Sequence, residues 1–279
     1  MFAIPPPGDG VSPFLKWLGG KRWLIERGIR MPALEEDSTY FEPFLGAGSL
    51  YFAFRPSNAR LSDVNSELIV TYQQLRDNVE DVITCLNALE NNAETFNHVR
   101  ASTPDADLER AVRFIYLNRT AYGGMYRVNL AGHFNVPFGN YTDRRLCQPA
   151  VLRAAASALT GSVIRRESFE IAASPAQRGD FVYFDPPYDS RSSRELFSRY
   201  TNSIFTWEMH QTLASFASVL ANRGVHVLVS NTSHPDVTAL YPDFECTHVK
   251  RKTQLSSDPT RRGIVEEAVF ASYPGAVAD

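Results

Sequence analysis

Asp185-Pro186-Pro187-Tyr188 is the run in this chain whose residue types are best suited to chemistry. It follows Phe181-Val182-Tyr183-Phe184, a short apolar stretch of the kind that forms a strand buried on both faces. The four residues therefore stand at the carboxyl end of a strand, where open α/β sheets bind ligands. Two consecutive prolines fix φ and supply carbonyls without competing N–H donors. A carboxylate beside such a carbonyl can accept both hydrogens of an exocyclic amine. Tyr188 offers a face on which a flat base can stack. The plainer alternative is a rigid turn that ends a strand.

A second run, Glu42-Pro43-Phe44-Leu45-Gly46-Ala47-Gly48-Ser49, lies between an expected strand and an expected helix. Its glycines let the backbone approach a ligand closely, and a helix N-terminus offers free N–H groups. A dinucleotide fingerprint would need glycine where Tyr51 stands, which argues against a nicotinamide cofactor. Asp63 follows at the end of the next strand, where a carboxylate can accept from both hydroxyls of a ribose. Either feature alone could be structural, the first a turn and the second a helix cap. Together they favour a nucleoside-containing ligand without a diphosphate.

The elements that must position these residues follow from periodicity. A strand is expected from Thr39 to Pro43, a helix from about Ser49, and a strand from Ala59 to Ser62 ending at Asp63. Asn65 or Ser66 can cap a helix through about Leu75. This alternation implies a parallel sheet. From about Val79 to Leu159 the pattern changes. Val82, Leu86 and Leu89 recur at helical spacing, as do Ala111, Ile115 and Asn118. Tyr122 to Tyr141 is dense in Gly, Asn and aromatics and reads as a loop or hairpin. The expected organisation is an α/β sheet domain, residues 1–78 and 161–279, with a mostly helical subdomain, residues 79–160, inserted in it. The second half supplies strands at Val163-Ile164, Phe181–Phe184 and Val225–Val229, and a helix from Met209 to Leu220. Cys246–Thr253 and Val265–Tyr273 read as a terminal antiparallel hairpin, and the first ten residues as a loose arm.

Composition limits the function classes. A chain of 279 residues that is 44% hydrophobic and 21% charged can bury a substantial core and is not disordered. Its net charge of −3 does not by itself point to nucleic acid, because a partner meets only the facing surface. Basic clusters stand at Arg144-Arg145, Arg165-Arg166, Lys250-Arg251-Lys252 and Arg261-Arg262, either as solvated faces or as a local basic surface. The three cysteines, Cys85, Cys147 and Cys246, fit neither a disulfide framework nor a paired metal site. The six histidines show no ligand spacing, so no metal is expected. The start has no signal-peptide pattern and no apolar run reaches membrane-spanning length, so a cytoplasmic location and no membrane partner are expected.

Seven motifs occur in one order: FLKWLGGKRWL (14–24), FEPFLGAGSL (41–50), LSDVNSEL (61–68), FIYLNRTAYGGMYRVNLAGHFNVPFGNY (114–141), YFDPPY (183–188), TNSIFTWEMH (201–210) and VLVSNT (227–232). In these the chain resembles the Dam-type (D12 class, alpha group) DNA adenine-N6 methyltransferases from Phe14 to about Tyr273. The resemblance implies a Rossmann-like methyltransferase sheet, S-adenosyl-L-methionine as cofactor and double-stranded DNA as partner. It also leaves room for a cognate restriction endonuclease. It implies that Trp17, Gly19 and Lys21 close over the methionine part of the cofactor. Glu42, Phe44, Gly46 and Gly48 would line its cradle, Asp63 would hold the ribose, and Phe169 would meet its adenine. Asp185, Pro186 and Tyr188 would hold the target base, with Asp185 also beside the cofactor. Lys16, Tyr122, Met125, Arg127, Pro137 and Tyr141 would contact DNA, and relatives with this hairpin generally read GATC. The chain departs from the pattern three times, the mildest being Met125 where close relatives carry Leu. Ser168 replaces the usual Asp before the aromatic, and Gly123 replaces Asn. A cytosine-N4 or RNA-adenine methyltransferase would use similar chemistry, and a non-catalytic DNA-binding module could keep the fold. The hairpin, which resembles DNA readers, and the intact Asp185, Gly46 and Gly48 favour methylation of adenine in DNA.

Overall fold

Short β-rich apolar runs separated by helices of about one to four turns leave the chain one economical way to bury both faces of its strands, a sheet sandwiched between helix layers. The computed structural model describes residues 2–3, 11–129, 131–141, 145–188, 205–252 and 264–278. Its strands are β1 (Phe2–Ala3), β2 (Arg30–Met31), β3 (Tyr40–Glu42), β4 (Ala59–Asp63), β5 (Val163–Arg166), β6 (Phe181–Phe184), β7 (His226–Thr232), β8 (Glu245–Lys252) and β9 (Ile264–Ala271). Seven of them form one sheet in the order β5-β4-β3-β6-β7-β9-β8. The first five run parallel, and β9 lies antiparallel to both β7 and β8. The terminal pair is the expected hairpin.

From β3 the chain moves outward through β4 to β5, then returns to β6 on the other side of β3. The order therefore reverses between β3 and β6. At such a point the loops leaving neighbouring strands diverge and open a crevice at the carboxyl ends. The Glu42–Ser49 run leaves β3 and the Asp185–Tyr188 run leaves β6. The two chemistry-bearing segments thus flank the crevice.

The helices in chain order are α1 (Arg22–Glu26), α2 (Ser49–Phe54), α3 (Ser66–Asp77), α4 (Val79–Asn87), α5 (Ala93–Ala101), α6 (Asp107–Thr120), α7 (Pro149–Leu159), α8 (Phe169–Ala173), α9 (Trp207–Asn222) and α10 (Pro235–Thr238). Asn65 starts α3 as expected, its side chain accepting from the N–H groups of Glu67 and Leu68. Alternation along β6 sorts its side chains. Phe181 and Tyr183 join a core shared with α3, α4, α6 and α7, while Val182 and Phe184 join a core under α8 and α9. Residues 121–141 are held by a short 3-10 turn at Tyr122–Gly124 and by bridges from Ala121 to Phe138 and from Val128 to Phe134.

Some expected boundaries move. Phe2–Ala3 is paired antiparallel with Arg30–Met31 and not loose, with Phe2 opposite Met31 and Ala3 opposite Arg30. β7 runs on to Thr232, because β9 continues the ladder there by pairing Thr232 with Glu267. The remaining arm residues 4–10, together with Arg144, Thr253, Arg261, Arg262 and residues 201–204 of the TNSIFTWEMH motif, lie outside the described residues.

Candidate active site

β6 ends at Phe184, and Asp185 emerges into the crevice with 20% of its side-chain exposure left. Its Oδ1 meets the ammonium of Lys21 at 2.7 Å and accepts from the Ser230 hydroxyl at 2.8 Å. Lys21 is 3% exposed, donates to the Gly19 carbonyl at 2.7 Å and lies 4.7 Å from the centre of the Tyr188 ring. The Tyr188 phenol donates to Glu267 of β9, a residue 1% exposed. Burial pushes the Asp185 carboxyl above the usual carboxylate range, and the charge and hydrogen bond of Lys21 and the bond from Ser230 pull it back down. Burial, with the charges of Asp185 and Glu267, pushes the Tyr188 phenol well up, so it remains a donor.

Across the crevice, Glu42 ends β3 and is 2% exposed. The Tyr40 hydroxyl donates to it at 2.7 Å. Burial pushes the Glu42 carboxyl up to about 8, and nearby Asp185 adds to the rise. Beyond Glu42 the chain turns through Gly46, whose φ of +46° favours glycine. A Cβ there would fall 2.8 Å from Cδ1 of Trp17, so only glycine lets the backbone lie against that indole. Asp63 accepts from the Gly46 N–H at 3.2 Å through Oδ2 and from the Asn65 N–H at 3.0 Å through Oδ1. Burial raises the Asp63 carboxyl, and these backbone donors oppose the rise. Phe44 stacks on Phe169 with ring centres 5.6 Å apart. Ser168, at the position where the pattern has Asp, caps α8 by accepting from the Ile171 N–H.

The residues expected to face DNA gather on the 121–141 segment and the strip before Trp17. Asn118 of α6, buried completely, accepts from the Lys16 N–H at 2.9 Å and donates to the carbonyls of Lys16 at 2.7 Å and Gly124 at 3.1 Å. Tyr122 is 57% exposed, and its N–H donates to the Pro137 carbonyl at 2.9 Å. The Gly123 N–H donates to the Tyr141 hydroxyl at 2.9 Å. Arg127 donates through Nε to Asn135 Oδ1 at 2.8 Å, and Met125 is half-buried. Of the basic clusters, Arg165 lies 3.8 Å from Glu167 and Lys250 3.9 Å from Glu266.

The model of D12 class N6 adenine-specific DNA methyltransferases matches residues 17–255. The chain belongs to this family. It is 36% identical to a type II methyltransferase of Lactococcus lactis subsp. cremoris over 273 residues, covering 94% of this chain and 96% of that one. A type II methyltransferase of Methanocaldococcus jannaschii is 32% identical over 92% of this chain and 97% of its own. The DNA adenine methylase of Escherichia coli (strain K12) is 32% identical over 95% of this chain and 96% of its own. The protein is an adenine-specific DNA methyltransferase with a mixed α/β methyltransferase fold.

Several side chains of this methyltransferase site were not singled out by sequence reasoning. Ser230 sits inside the VLVSNT motif, which was the available signal, and the pairing of β6 with β7 brings it to Asp185. Glu267 adjoins Glu266, and the sequence does not say which of the two faces inward. Tyr72 of α3 is fully buried and donates to the Gly46 carbonyl at 3.1 Å, which braces the glycine turn. Among the described residues, no three His, Cys, Asp or Glu side chains gather as metal ligands, and no helix is long and apolar enough to cross a membrane.

Proposed function

We propose that this enzyme moves a methyl group from S-adenosyl-L-methionine to the N6 amine of adenine in double-stranded DNA, and that its site is GATC. The observation that carries the reading is the carboxylate of Asp185 held at the mouth of the sheet's switch point, beside the glycine turn and Asp63.

The residues present suit the cofactor. The glycine turn packs so closely on Trp17 that a Cβ would not fit, which suits a backbone cradle. Asp63 supplies a carboxylate for a ribose diol, and Phe44 and Phe169 supply aromatic surface for an adenine. When bound, the cofactor supplies an electrophilic methyl on a cationic sulfur. Trp17, Gly19, Lys21, Glu42, Phe44, Gly46, Gly48, Asp63 and Phe169 are the residues proposed to hold it.

An adenine inside the stack is out of reach, so the target is extruded at the cost of unstacking. Tyr188 stacks on the extruded base. Asp185 and the Pro186 carbonyl accept the two N6 hydrogens, which draws the nitrogen lone pair out of conjugation with the ring. The chain's contribution is position and fixed charge. Residues 79–160 form the proposed target-recognition part. Within it Tyr122 fills the gap left by the base, Arg127 reads guanine, and Met125 and Pro137 meet a thymine methyl. Lys16 and Tyr141 complete the DNA contacts.

The test is methyl transfer by the pure protein to genomic DNA, with modified adenines mapped, followed by duplexes carrying GATC and each single-base variant. N6-methyladenine confined to GATC is expected. Modification centred on another site would remove the specificity but not the chemistry. Asp185→Ala is expected to abolish transfer while leaving cofactor binding largely intact, and near-normal turnover would remove Asp185 from this role.

A further inference from the structure

A carboxylate that must accept one particular hydrogen has an orientation problem. It has two equivalent oxygens and a single bond about which to turn. At Asp185 the fold breaks that equivalence. Lys21 and Ser230 both meet Oδ1, at 2.7 Å and 2.8 Å, and among the described residues no donor meets Oδ2. We propose that Lys21 and Ser230 are positioning residues which anchor Oδ1 of Asp185 and thereby reserve Oδ2 for the amine of the target base. The inference rests on the reading of Asp185 as acceptor of that amine.

Both anchors are built in. Ser230 is fully buried on β7, and its oxygen lies 2.9 Å from the hydroxyl of Tyr183, itself 1% exposed. With the serine hydrogen given to Asp185, Tyr183 donates to Ser230, and the chain of hydrogen bonds has one direction. Lys21 is wedged between Asp185, the Gly19 carbonyl and the Tyr188 ring. A buried ammonium with these partners is costly to move, and removing one partner of such a pair leaves the other uncompensated.

The same ion pair controls charge. Among the described residues, the groups that face Asp185 are Lys21 from the loop before α1, Ser230 on β7, Glu267 on β9, Tyr183 on β6, Tyr188 just beyond it and, across the crevice, Glu42 on β3. Lys21 is the cation among them. Without it Asp185 is left in a buried space beside the carboxylate of Glu267, and a like charge favours protonation. A protonated Asp185 is a weaker acceptor and draws out the amine less. This separates Lys21 acting through Asp185 from Lys21 acting as a cofactor contact, because only the first moves the acid limb of the rate.

The experiment uses the full-length protein, its best duplex substrate and the variants Lys21→Met and Ser230→Ala, with Asp185→Ala as reference. Single-turnover transfer is measured at saturating cofactor and DNA from about pH 5.5 to 9, and cofactor affinity by calorimetry. Lys21→Met is expected to move the acid limb up by about one pH unit, roughly a tenfold loss of rate on that limb, and because cofactor is saturating, weaker cofactor binding at Lys21 does not enter that rate. Ser230→Ala is expected to shift the limb in the same direction by less, and it carries the test alone if Lys21→Met does not fold. An unchanged acid limb with only weaker cofactor binding overturns the inference and makes Lys21 a cofactor contact. Turnover retained by Asp185→Ala would instead remove the reading on which the inference rests.

Discussion

Glu42 and Asp185 end neighbouring strands, and the fold treats their carboxyl groups differently. Asp185 has an ammonium partner, whereas Glu42 has the neutral hydroxyl of Tyr40. Glu42 therefore holds its proton to about 8, against 4.5 when exposed. The proton binds more tightly in the folded state, so the stability it contributes is complete below about 4.5 and is lost as pH rises through about 8. Glu42→Gln, which cannot ionise, should gain stability relative to the wild type across that window. Urea midpoints of both proteins between these pH values check this, and a difference that stays constant with pH would refute it. Asp63 gives a second test at this scale. Asp63→Ala should weaken S-adenosyl-L-methionine binding by about 1–3 kcal/mol, the cost of leaving buried hydroxyls unpaired. Unchanged affinity by calorimetry would make Asp63 only a brace for the Gly46 turn and Asn65. Residue types and order made Asp185, Gly46 and Asp63 legible as candidates. Ser230 and Glu267 act on them from strands that are distant in sequence, and only the sheet register brings them close.

At the scale of elements, strand-to-turn transitions were legible because each is local. The runs expected to end at Pro43, Asp63 and Phe184 end in the structure at Glu42, Asp63 and Phe184. The way the 121–141 segment is held was not legible, since its stays come from elsewhere. Asn118 was visible only as one position in a helical repeat, yet its amide ties Lys16 to Gly124 across the chain. A buried amide satisfied by three backbone groups makes the strip before Trp17 and the turn of the hairpin one unit. Arg127 is pre-set within the same unit by Asn135. The planar guanidinium of an arginine is the group that matches O6 and N7 of guanine together. Arg127→Ala should then cost about 1–3 kcal/mol of discrimination at one base position. Methylation of each single-base variant of the site by wild type and variant decides this. An even loss across all sequences would assign Arg127 to phosphate instead.

The whole molecule places one demand on charge. Strand order set the site, because the reversal between β3 and β6 opens a crevice at which both chemistry-bearing runs arrive. DNA must approach that edge, yet the chain carries a net charge of −3. A binder with this balance cannot rely on its overall field and must neutralise phosphates through a local basic face. Some basic residues are already matched by acid, as with Arg153 and Glu80 at 2.6 Å and Arg110 and Glu67 at 2.6 Å. The expected contributors are Arg144, Arg145 and the Arg261-Arg262 run, of which Arg145 lies within the described residues. Each phosphate neutralised releases condensed counterions, so log K should fall linearly with log salt, with a slope of about −0.9 per contact. Duplex affinity should therefore drop steeply from about 50 to 200 mM salt. Arg145→Ala should flatten the slope by about one contact while leaving base discrimination intact. Fluorescence anisotropy on a fixed duplex over a salt series measures both. A flat response in the wild type would be incompatible with this mode of DNA binding. An unchanged slope in the variant would move the basic face elsewhere on the molecule.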